Sequence, residues 1–253
     1  MKIVRYLYQG KTAYGLLESD TVFAMEGDLY GDKRRGSAVG AVADVRLVAP
    51  ITPSKIIGIG LNYRAHAAES KKLVPTTPLY FFKPTTAIIS PGESIVYPSQ
   101  IQSKMVHHEG ELVVVIGKLA RRVSEAEALG HVLGYTCGND VTARDIQNAE
   151  GHNSHAKSFD TFFPVGPAIA TGLDPNDLRL VTRVNGQVRQ DTRTSDMVFT
   201  VAQLVSYLSQ SMTLQPGDVI STGTPSGVSS IFPGDVVEID IEGIGVLRNT
   251  VAR

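Results

Sequence analysis

Short apolar runs separated by glycine, proline and aspartate turns recur along the whole chain, and helical patterns are few. Runs of about four to eight residues rich in Val, Ile and aromatic side chains, bounded by such turns, are typical of β-strands. The predicted strands are KIVRYLY, AYGLLES, TVFAMEG, KIIGIGL, LYFFKP, ELVVVIG, GYTCGND, RLVTRVNG, DVISTG, DVVEIDIEG and GVLRNTV. Because strands do not alternate regularly with helices, the pattern disfavours a doubly wound sheet. It predicts a mostly β, α+β fold, a strand-rich roll or barrel with peripheral helices.

Two segments carry the signals of helices. Ser124 followed by Glu127, and Thr200 followed by Gln203, match the capping box, in which both side chains satisfy free amides at a helix start. After Thr200, apolar residues recur at the i, i+3, i+4 and i+7 spacing of one helical face. These residues are Val201, Leu204, Val205 and Leu208.

Prolines divide the chain near residue 50. Pro50 and Pro53, in VRLVAPITPSK, disfavour regular structure and suggest a joint. A chain of 253 residues fits one large domain with a small appendage. We therefore predict a small N-terminal β-rich unit at residues 1–50 and a main domain at residues 51–253.

Composition excludes several classes of function. A formal net charge of -1 provides no basic field for nucleic acid or anionic membrane, so neither is an expected partner. The opening MKIVRYLYQGKTAYG lacks the apolar run of a signal peptide, and no apolar stretch of membrane-spanning length follows. The single cysteine, Cys137, excludes an internal disulfide. These features predict a soluble cytoplasmic protein.

The segment HHEGELVVVIG places charged residues at the start of a very apolar strand. An unpaired buried carboxylate is costly, so something must hold Glu109 and Glu111 if this strand start is buried. Residues i and i+2 of a strand share one face about 6.7 Å apart, so both carboxylates can reach one divalent ion. On spacing alone, two solvated glutamates on a half-exposed strand explain the pattern equally well.

A third acid favours a metal site. Asp140 ends the strand-like segment GYTCGND, and Asp145 follows a little later; the spacing excludes neither as a ligand. Three carboxylates without thiolates suit Mg²⁺, Mn²⁺ or Ca²⁺ rather than zinc. Their summed charge exceeds that of the ion and favours a nearby cation, which Lys157 could supply.

Five segments, in this order, resemble the fumarylacetoacetate hydrolase family: GLNYRAHAAES, HHEGELVVVIG, GNDVTARDIQ, AKSFDTFFPVGP and GDVISTGTPSGV. The resemblance covers about residues 51–251. It implies a β-rich fold, a metal-dependent enzyme acting on 2-oxo and 2,4-dioxo acids or their enols, and a dimer. The family's metal ligands fall on Glu109, Glu111 and Asp140, so the resemblance selects Asp140 over Asp145.

A candidate catalytic pair lies in NYRAHAAES. His66 and Glu69 are three residues apart, so one helical turn would place them on one face, although unrelated surface residues often show this spacing. The resemblance implies that the pair activates water from a mobile lid, and that Lys157 stabilises a developing enolate. The lid segment NYRAHAAESKKLVPTTP has few apolar anchors, so we expect it to be mobile until substrate arrives.

The resemblance implies substrate contacts at three further positions. Arg144 and Gln147, in TARDIQ, match positions that contact the oxo-acid end of the substrate, and Arg144 suits a carboxylate through its bidentate guanidinium. Thr224, in STGTPSGV, matches a threonine that hydrogen-bonds the substrate carboxylate. Tyr63 and Lys83 are weaker candidates, because such residues at strand ends are ordinarily structural.

The expected function is a reaction next to a 2-oxo-acid carbonyl, through an enolate that one bound Mg²⁺ or Mn²⁺, or Ca²⁺ as a substitute, stabilises. The chain length and short N-terminal unit resemble bacterial 2-hydroxyhepta-2,4-diene-1,7-dioate isomerases and the associated 5-carboxymethyl-2-oxo-hex-3-ene-1,7-dioate decarboxylases of aromatic catabolism. Alternatives are acylpyruvate or fumarylacetoacetate hydrolysis, and oxaloacetate decarboxylation. A non-catalytic protein stabilised by its metal is the alternative of another class. The expected partners are a small oxo acid and a second copy of the chain.

Overall fold

The computed structural model describes residues 1–98 and 103–253, and a mixed twelve-stranded sheet forms most of the regular structure there. The strands of this sheet are β1 (Lys2–Tyr8), β2 (Lys11–Glu18), β3 (Thr21–Gly27), β4 (Lys33–Ala41), β5 (Arg46–Val48), β6 (Ile56–Gly60), β7 (Leu79–Lys83), β8 (Ile88–Ile89), β11 (Gly110–Ile116), β12 (Val132–Asn139), β14 (Phe163–Ala170) and β17 (Val219–Ser221).

Two smaller sheets, four α-helices and several short 3₁₀ helices complete the regular structure of the described ranges. A five-stranded sheet contains β9 (Ser94–Val96), β15 (Arg179–Val184), β16 (Gln187–Arg193), β18 (Val236–Ile241) and β19 (Gly245–Ala252), and a two-stranded sheet pairs β10 (Val106–His107) with β13 (Thr142–Ala143). The α-helices are α1 (Arg64–Glu69), α2 (Glu125–Ala128), α3 (Arg144–Glu150) and α4 (Val201–Ser211). None of these helices has the length and apolar character needed to span a membrane. The predicted mostly β, α+β class is confirmed.

Every strand predicted from the sequence is present, and the described part of the chain forms eight further strands that are not among the predictions. The most central of these is β14, which lies between β1 and β12. Its residues Pro164 and Pro167 argue against a central strand, because proline cannot donate to a ladder. The register between β12 and β14 shifts opposite Pro167, so the missing amide falls at an irregularity where no ladder bond is required.

Residues 1–50 extend the large sheet. The order β4–β3–β2–β1–β14–β12–β11–β17–β6–β7 runs without a break from the N-terminal strands to the strands of the site. β1 makes the connection, since it pairs with β2, β5 and β14. That residues 1–50 form a separate unit stays a prediction.

The central strand β11 is buried on both faces. Leu112, Val114 and Ile116 pack into a core shared with α4 and the five-stranded sheet. Val113 and Val115 pack on the opposite side, against residues of β1, β2 and β14. A strand covered on both faces has a continuous apolar sequence, which accounts for the run LVVVI. β11 is therefore a rigid support for the residues at its start.

Both predicted helices begin at their predicted capping boxes, as α2 and α4. Thr200 Oγ1 accepts a hydrogen bond from the amide of Gln203 at 3.3 Å, and Gln203 Oε1 accepts one from the amide of Thr200 at 3.0 Å. The four apolar residues predicted on the inner face of α4 are all buried. The helix thereby covers one face of the large sheet beside β11.

Candidate active site

Three carboxylates converge where β11 begins and β12 ends. Glu111 belongs to β11, Glu109 precedes it, and Asp140 follows β12. The two strands are antiparallel with Gly110 opposite Asn139, so the start of one lies beside the end of the other. Ligand oxygens from the three carboxylates all lie within 4.8 Å of one another. Glu109, Glu111 and Asp140 are only 5%, 1% and 1% exposed.

The other aspartate that the spacing allowed has a different role. The carboxylate of Asp145 accepts hydrogen bonds from Ser103 Oγ and from the amide of Lys104, both at 2.7 Å. These contacts fix the chain just before β10. Of the two aspartates, Asp140 is therefore the one that lies with the glutamates.

Backbone contacts lock the two acidic segments together. The amide of Glu109 donates to Asn139 Oδ1 at 2.9 Å, and the amide of Asp140 donates to the carbonyl of Glu109 at 2.9 Å. A Cβ added at Gly110 would lie 2.1 Å from Thr182 Oγ1 on β15. Close packing between the sheets therefore requires glycine between the two glutamates. Asn139 is a contributor that the sequence analysis did not identify; its position next to Asp140 was the available signal.

Glu111 has one oxygen held by the protein. Its Oε2 accepts hydrogen bonds from Ser221 Oγ at 2.6 Å and from the amide of Gly223 at 2.9 Å. Burial, followed by the negative charges of Asp140 and Glu109, raises the pKa of Glu111 well above its ordinary value. A divalent cation would offset this repulsion. Because all the donors are carboxylate oxygens, the cluster fits Mg²⁺, Mn²⁺ or Ca²⁺.

Two buried lysines compensate the acids. Lys157 Nζ donates to Glu109 Oε2 at 2.8 Å, to Asp140 Oδ2 at 2.5 Å and to Thr142 Oγ1 at 2.8 Å. Burial opposes the charge of Lys157, but the nearby carboxylates outweigh burial and raise the pKa of its ammonium. Lys83 Nζ donates to Asp140 Oδ1 at 2.7 Å, so this weaker sequence candidate also belongs to the cluster.

A guanidinium contacts the cluster from α3. Arg144 Nη2 donates to Glu109 Oε1, and Arg144 Nη1 donates to Gln147 Oε1. Gln147 Nε2 in turn donates to Asn153 Oδ1 at 2.6 Å. Burial alone would raise the pKa of Glu109, but the charges of Lys157 and Arg144 hold it well below its ordinary value. A substrate carboxylate that binds Arg144 would have to share the guanidinium with Glu109.

His66 and Glu69 form the predicted pair on α1. His66 Nδ1 lies 3.1 Å from Glu69 Oε2, and Glu69 Oε1 accepts a hydrogen bond from the amide of Gly227 at 3.0 Å. With Nδ1 turned to the carboxylate, Nε2 is the ring nitrogen left for a ligand. Tyr63 and Ala67 are both fully buried. Tyr63 packs into the core and anchors the start of the lid segment, and the mobility of this segment stays a prediction.

Thr224 is bonded within the wall of the site. Its Oγ1 donates to the carbonyl of Gly110 at 3.0 Å and accepts from Gln190 Nε2 at 2.8 Å. Gln190 Oε1 also accepts a hydrogen bond from the amide of Gly110 at 3.0 Å. The contact between Thr224 and a substrate carboxylate stays a prediction. Gln190 is absent from the sequence predictions because the polar segment QVRQDTR has no apolar pattern that predicts β16.

These side chains meet at one cavity of about 180 Å³. Seven of the nine predicted residues line it: His66, Glu109, Glu111, Arg144, Gln147, Lys157 and Thr224. Asp140 and Glu69 do not line this cavity, but they are paired with Lys157 and His66 respectively, which do. The cavity thus combines oxygen donors for a hard metal ion, a fixed ammonium and an imidazole oriented by a carboxylate.

Comparison with known proteins identifies the family. The family model described as Fumarylacetoacetate (FAA) hydrolase C-terminal matches residues 55–252. The chain belongs to the fumarylacetoacetate hydrolase family. A second model, described as Rv2993c-like, N-terminal, matches residues 1–50. The resemblance of the five sequence segments is therefore confirmed.

Related proteins of this family differ in their reactions. The crystal structure of 2-hydroxyhepta-2,4-diene-1,7-dioate isomerase from Mycobacterium marinum has a TM-score of 0.92 at 43% identity, covering 100% of this chain and 98% of that one. Oxaloacetate tautomerase YisK of Bacillus subtilis is 42% identical over 230 residues, which is 85% of this chain and 76% of YisK. Maleylpyruvate hydrolase from Sphingobium sp. SYK-6, in complex with manganese(II) ion and pyruvate, has a TM-score of 0.83 at 30% identity, covering 100% and 99%.

A buried histidine beside the acids makes stability depend on pH. His108 is fully buried, and its Nε2 lies 2.9 Å from Ser229 Oγ. Burial, followed by the neighbouring His107, lowers the pKa of His108 from 6.5 to about 4. Between these values the unfolded chain binds a proton that the folded chain does not, so the stability contribution is complete above pH 6.5 and declines toward pH 4. The full effect is about 3 kcal/mol.

Urea denaturation at about pH 7 and about pH 4.5 measures this effect. We expect His108→Gln to flatten the pH dependence of the unfolding free energy. His152→Gln is the matched control, because the side chain of His152 is 59% exposed, and it should leave the dependence unchanged. The same pH dependence in wild type and His108→Gln would contradict the assignment.

Proposed function

We propose that this protein is a divalent-metal-dependent enzyme that isomerises or decarboxylates 2-oxo dioates and their enols, of the 2-hydroxyhepta-2,4-diene-1,7-dioate type, in aromatic catabolism. One observation carries the proposal: the buried cluster of Glu109, Glu111 and Asp140, with ligand oxygens within 4.8 Å of one another, beside a cavity lined by His66 and Lys157. The similarity to the Mycobacterium marinum isomerase supports this choice among the family's reactions.

The three carboxylates would hold one Mg²⁺ or Mn²⁺. Hard cations take oxygen ligands, and carboxylates are the donors of this cluster. When bound, the ion would act as a Lewis acid on the carboxylate and 2-oxo oxygens of a substrate. The manganese and pyruvate in the related maleylpyruvate hydrolase support a site of this kind.

Lys157 would stabilise the negative charge of an enolate. Its ammonium is fixed by hydrogen bonds to Glu109, Asp140 and Thr142 before any substrate arrives. A charge that is already in place lowers the free energy of a transition state in which negative charge develops. The neighbouring carboxylates raise the pKa of Lys157 and so favour its ammonium form.

His66 would move the proton. The carboxylate of Glu69 faces His66 Nδ1 and favours the tautomer that carries its hydrogen there, which leaves Nε2 as the acceptor. Nε2 can take a proton from the enol hydroxyl or from a carbon next to the 2-oxo group, and return it to another carbon of the same enolate. This transfer is an isomerisation. Loss of CO₂ from a neighbouring carboxylate, followed by protonation of the enolate, is the decarboxylation.

The test is turnover of a substrate panel by protein freed of metal with a chelator and then supplied with Mg²⁺ or Mn²⁺. The panel contains 2-hydroxyhepta-2,4-diene-1,7-dioate, oxaloacetate and acylpyruvates. We expect metal-dependent isomerisation of the heptadienedioate to be fastest. Faster cleavage of acylpyruvates to two acids would assign hydrolysis instead. Metal binding without turnover of any member would assign the non-catalytic alternative.

We also propose that the protein is a homodimer. At the end of the large sheet, β7 pairs only with β6 among the described residues, and its Tyr80 and Phe82 are 40% and 49% exposed. An unpaired edge strand that exposes aromatic side chains is usually covered in the assembled protein. Formation of a closed two-fold dimer is a common way to cover it. Sedimentation equilibrium at micromolar concentration should give twice the chain mass of 27.2 kDa. The mass of a single chain would refute the dimer.

A further inference from the structure

The cavity at the acidic cluster continues outward. Beyond the inner cavity of about 180 Å³ lies an outer cavity of about 390 Å³. The two share the wall residues His66, Ser70, Lys72, Arg144 and Gln147. A ligand with one end at the acids and a chain too long for the inner cavity would therefore pass Lys72.

The end of α1 determines where Lys72 lies. The amide of Lys71 donates to the carbonyl of Ala68 at 3.1 Å, and the amide of Lys72 donates to that of Ala67 at 3.0 Å. Lys71 has a φ of 53°, the left-handed conformation that ends a helix in the Schellman motif. This turn fixes the backbone of Lys72 at the boundary of both cavities. Lys71, its neighbour, lines neither of them.

Lys72 carries a charge that no carboxylate balances. The other cations of the inner wall, Lys157 and Arg144, are both paired with Glu109. Lys72 makes no ion pair with any residue in the ranges 1–98 and 103–253. The carboxylate of Glu69, on the outer wall, is already held by an imidazole and a backbone amide. The passage between the cavities therefore offers a free ammonium to an anionic group of a ligand.

We propose that Lys72 binds the distal carboxylate of a dicarboxylic 2-oxo acid. This proposal rests on the proposed function, which places the 2-oxo end of the substrate at Glu109, Glu111 and Asp140. The distal end then lies at the passage. A single ammonium on a flexible stem can follow carboxylates at different distances, so diacids of more than one length would fit. An ion pair that stays partly in water changes affinity by about fivefold.

Two ligands that differ only at the distal end test this role without any turnover. 2-Oxoglutarate carries a distal carboxylate, and 2-oxopentanoate has a methyl group in its place. We expect the Mn²⁺-loaded protein to bind 2-oxoglutarate about fivefold more tightly in calorimetry, with a preference that weakens as salt is added. Lys72→Met should abolish the preference and leave the affinity for 2-oxopentanoate unchanged. Lys72→Arg should retain it.

Lys71→Met is the matched control, since it removes the same charge from the same helix end and should leave the preference intact. Equal affinity of the wild type for both ligands, or a preference that survives Lys72→Met, overturns the role of Lys72 while the proposed function stands. Failure of both ligands to bind the Mn²⁺-loaded wild type overturns the proposed 2-oxo-acid site and the role of Lys72 with it. A preference lost equally in Lys71→Met and Lys72→Met would indicate a general charge effect and also overturn the assignment.

Discussion

Glu111→Gln should reduce the Mn²⁺ affinity by at least about 100-fold and reduce turnover with it. The amide keeps the shape of the side chain, and its oxygen can still accept the hydrogen bonds from Ser221 and Gly223. The variant should therefore fold, while the charge that faces the other two carboxylates is lost. Titration calorimetry of metal-free protein with Mn²⁺ measures the change.

Thermal unfolding provides an independent measurement of the same site. At a free Mn²⁺ concentration of about 100 times Kd, binding stabilises the folded state by about 2.7 kcal/mol. For a chain of this size that corresponds to a Tm increase of about 5–10 °C. We expect the increase in wild type and in Glu125→Gln, an exposed control on α2, and an increase of at most about 1–2 °C in Glu111→Gln. Wild-type Mn²⁺ affinity in Glu111→Gln would exclude this carboxylate as a ligand.

His66→Ala should lower kcat by about 10²–10⁴-fold, the usual effect of losing a general base. The metal affinity should stay near wild type, because the imidazole is paired with Glu69 and not with the carboxylates of the cluster. Steady-state kinetics on the best substrate of the panel, together with Mn²⁺ calorimetry, separates the two effects.

Two further variants define what the result means. His155→Ala removes an exposed histidine and should retain full activity. Glu69→Gln keeps the size of the side chain but removes its charge, and should lower kcat less than His66→Ala. Full activity of His66→Ala would show that His66 does not move the proton. Lys157 and the bound metal would then have to suffice for the chemistry.

The sequence predicted the elements whose physical signals are local. Apolar runs between turns found the strands that pack into the two cores, and the capping boxes found α2 and α4. β4 and β16 have mostly exposed or half-buried residues and are held by pairing with their neighbours, so their sequences carry little apolar pattern. β14 was missed for another reason, since its Pro167 falls at a register shift that only the pairing with β12 creates.

The acidic residues of the site could be predicted from the sequence, but not all of its cationic residues could. Spacing placed Glu109 and Glu111 near one point, and the family resemblance selected Asp140. Glu109 does not reach the cluster as the second residue on one face of a strand, which was the prediction. It precedes β11, and the hydrogen bond from its amide to Asn139 Oδ1 orients it. The place of Lys83 depends on the approach of its side chain to Asp140, 57 residues away in the chain, and no local pattern contains that information.

The two kinds of residue around the cavity differ in what supports them. The acids stand at the ends of β11 and β12, within strands that are packed between two cores. Lys72 stands on the connection between β6 and β7, where Leu73 is 93% exposed. Residues 71–78, which are mostly exposed and follow the helix that carries His66, can consequently diverge or lengthen at little cost in folding and without altering the reacting centre. Adaptation to new substrates can then proceed through changes in this short segment, without changes in the strands that carry the acids.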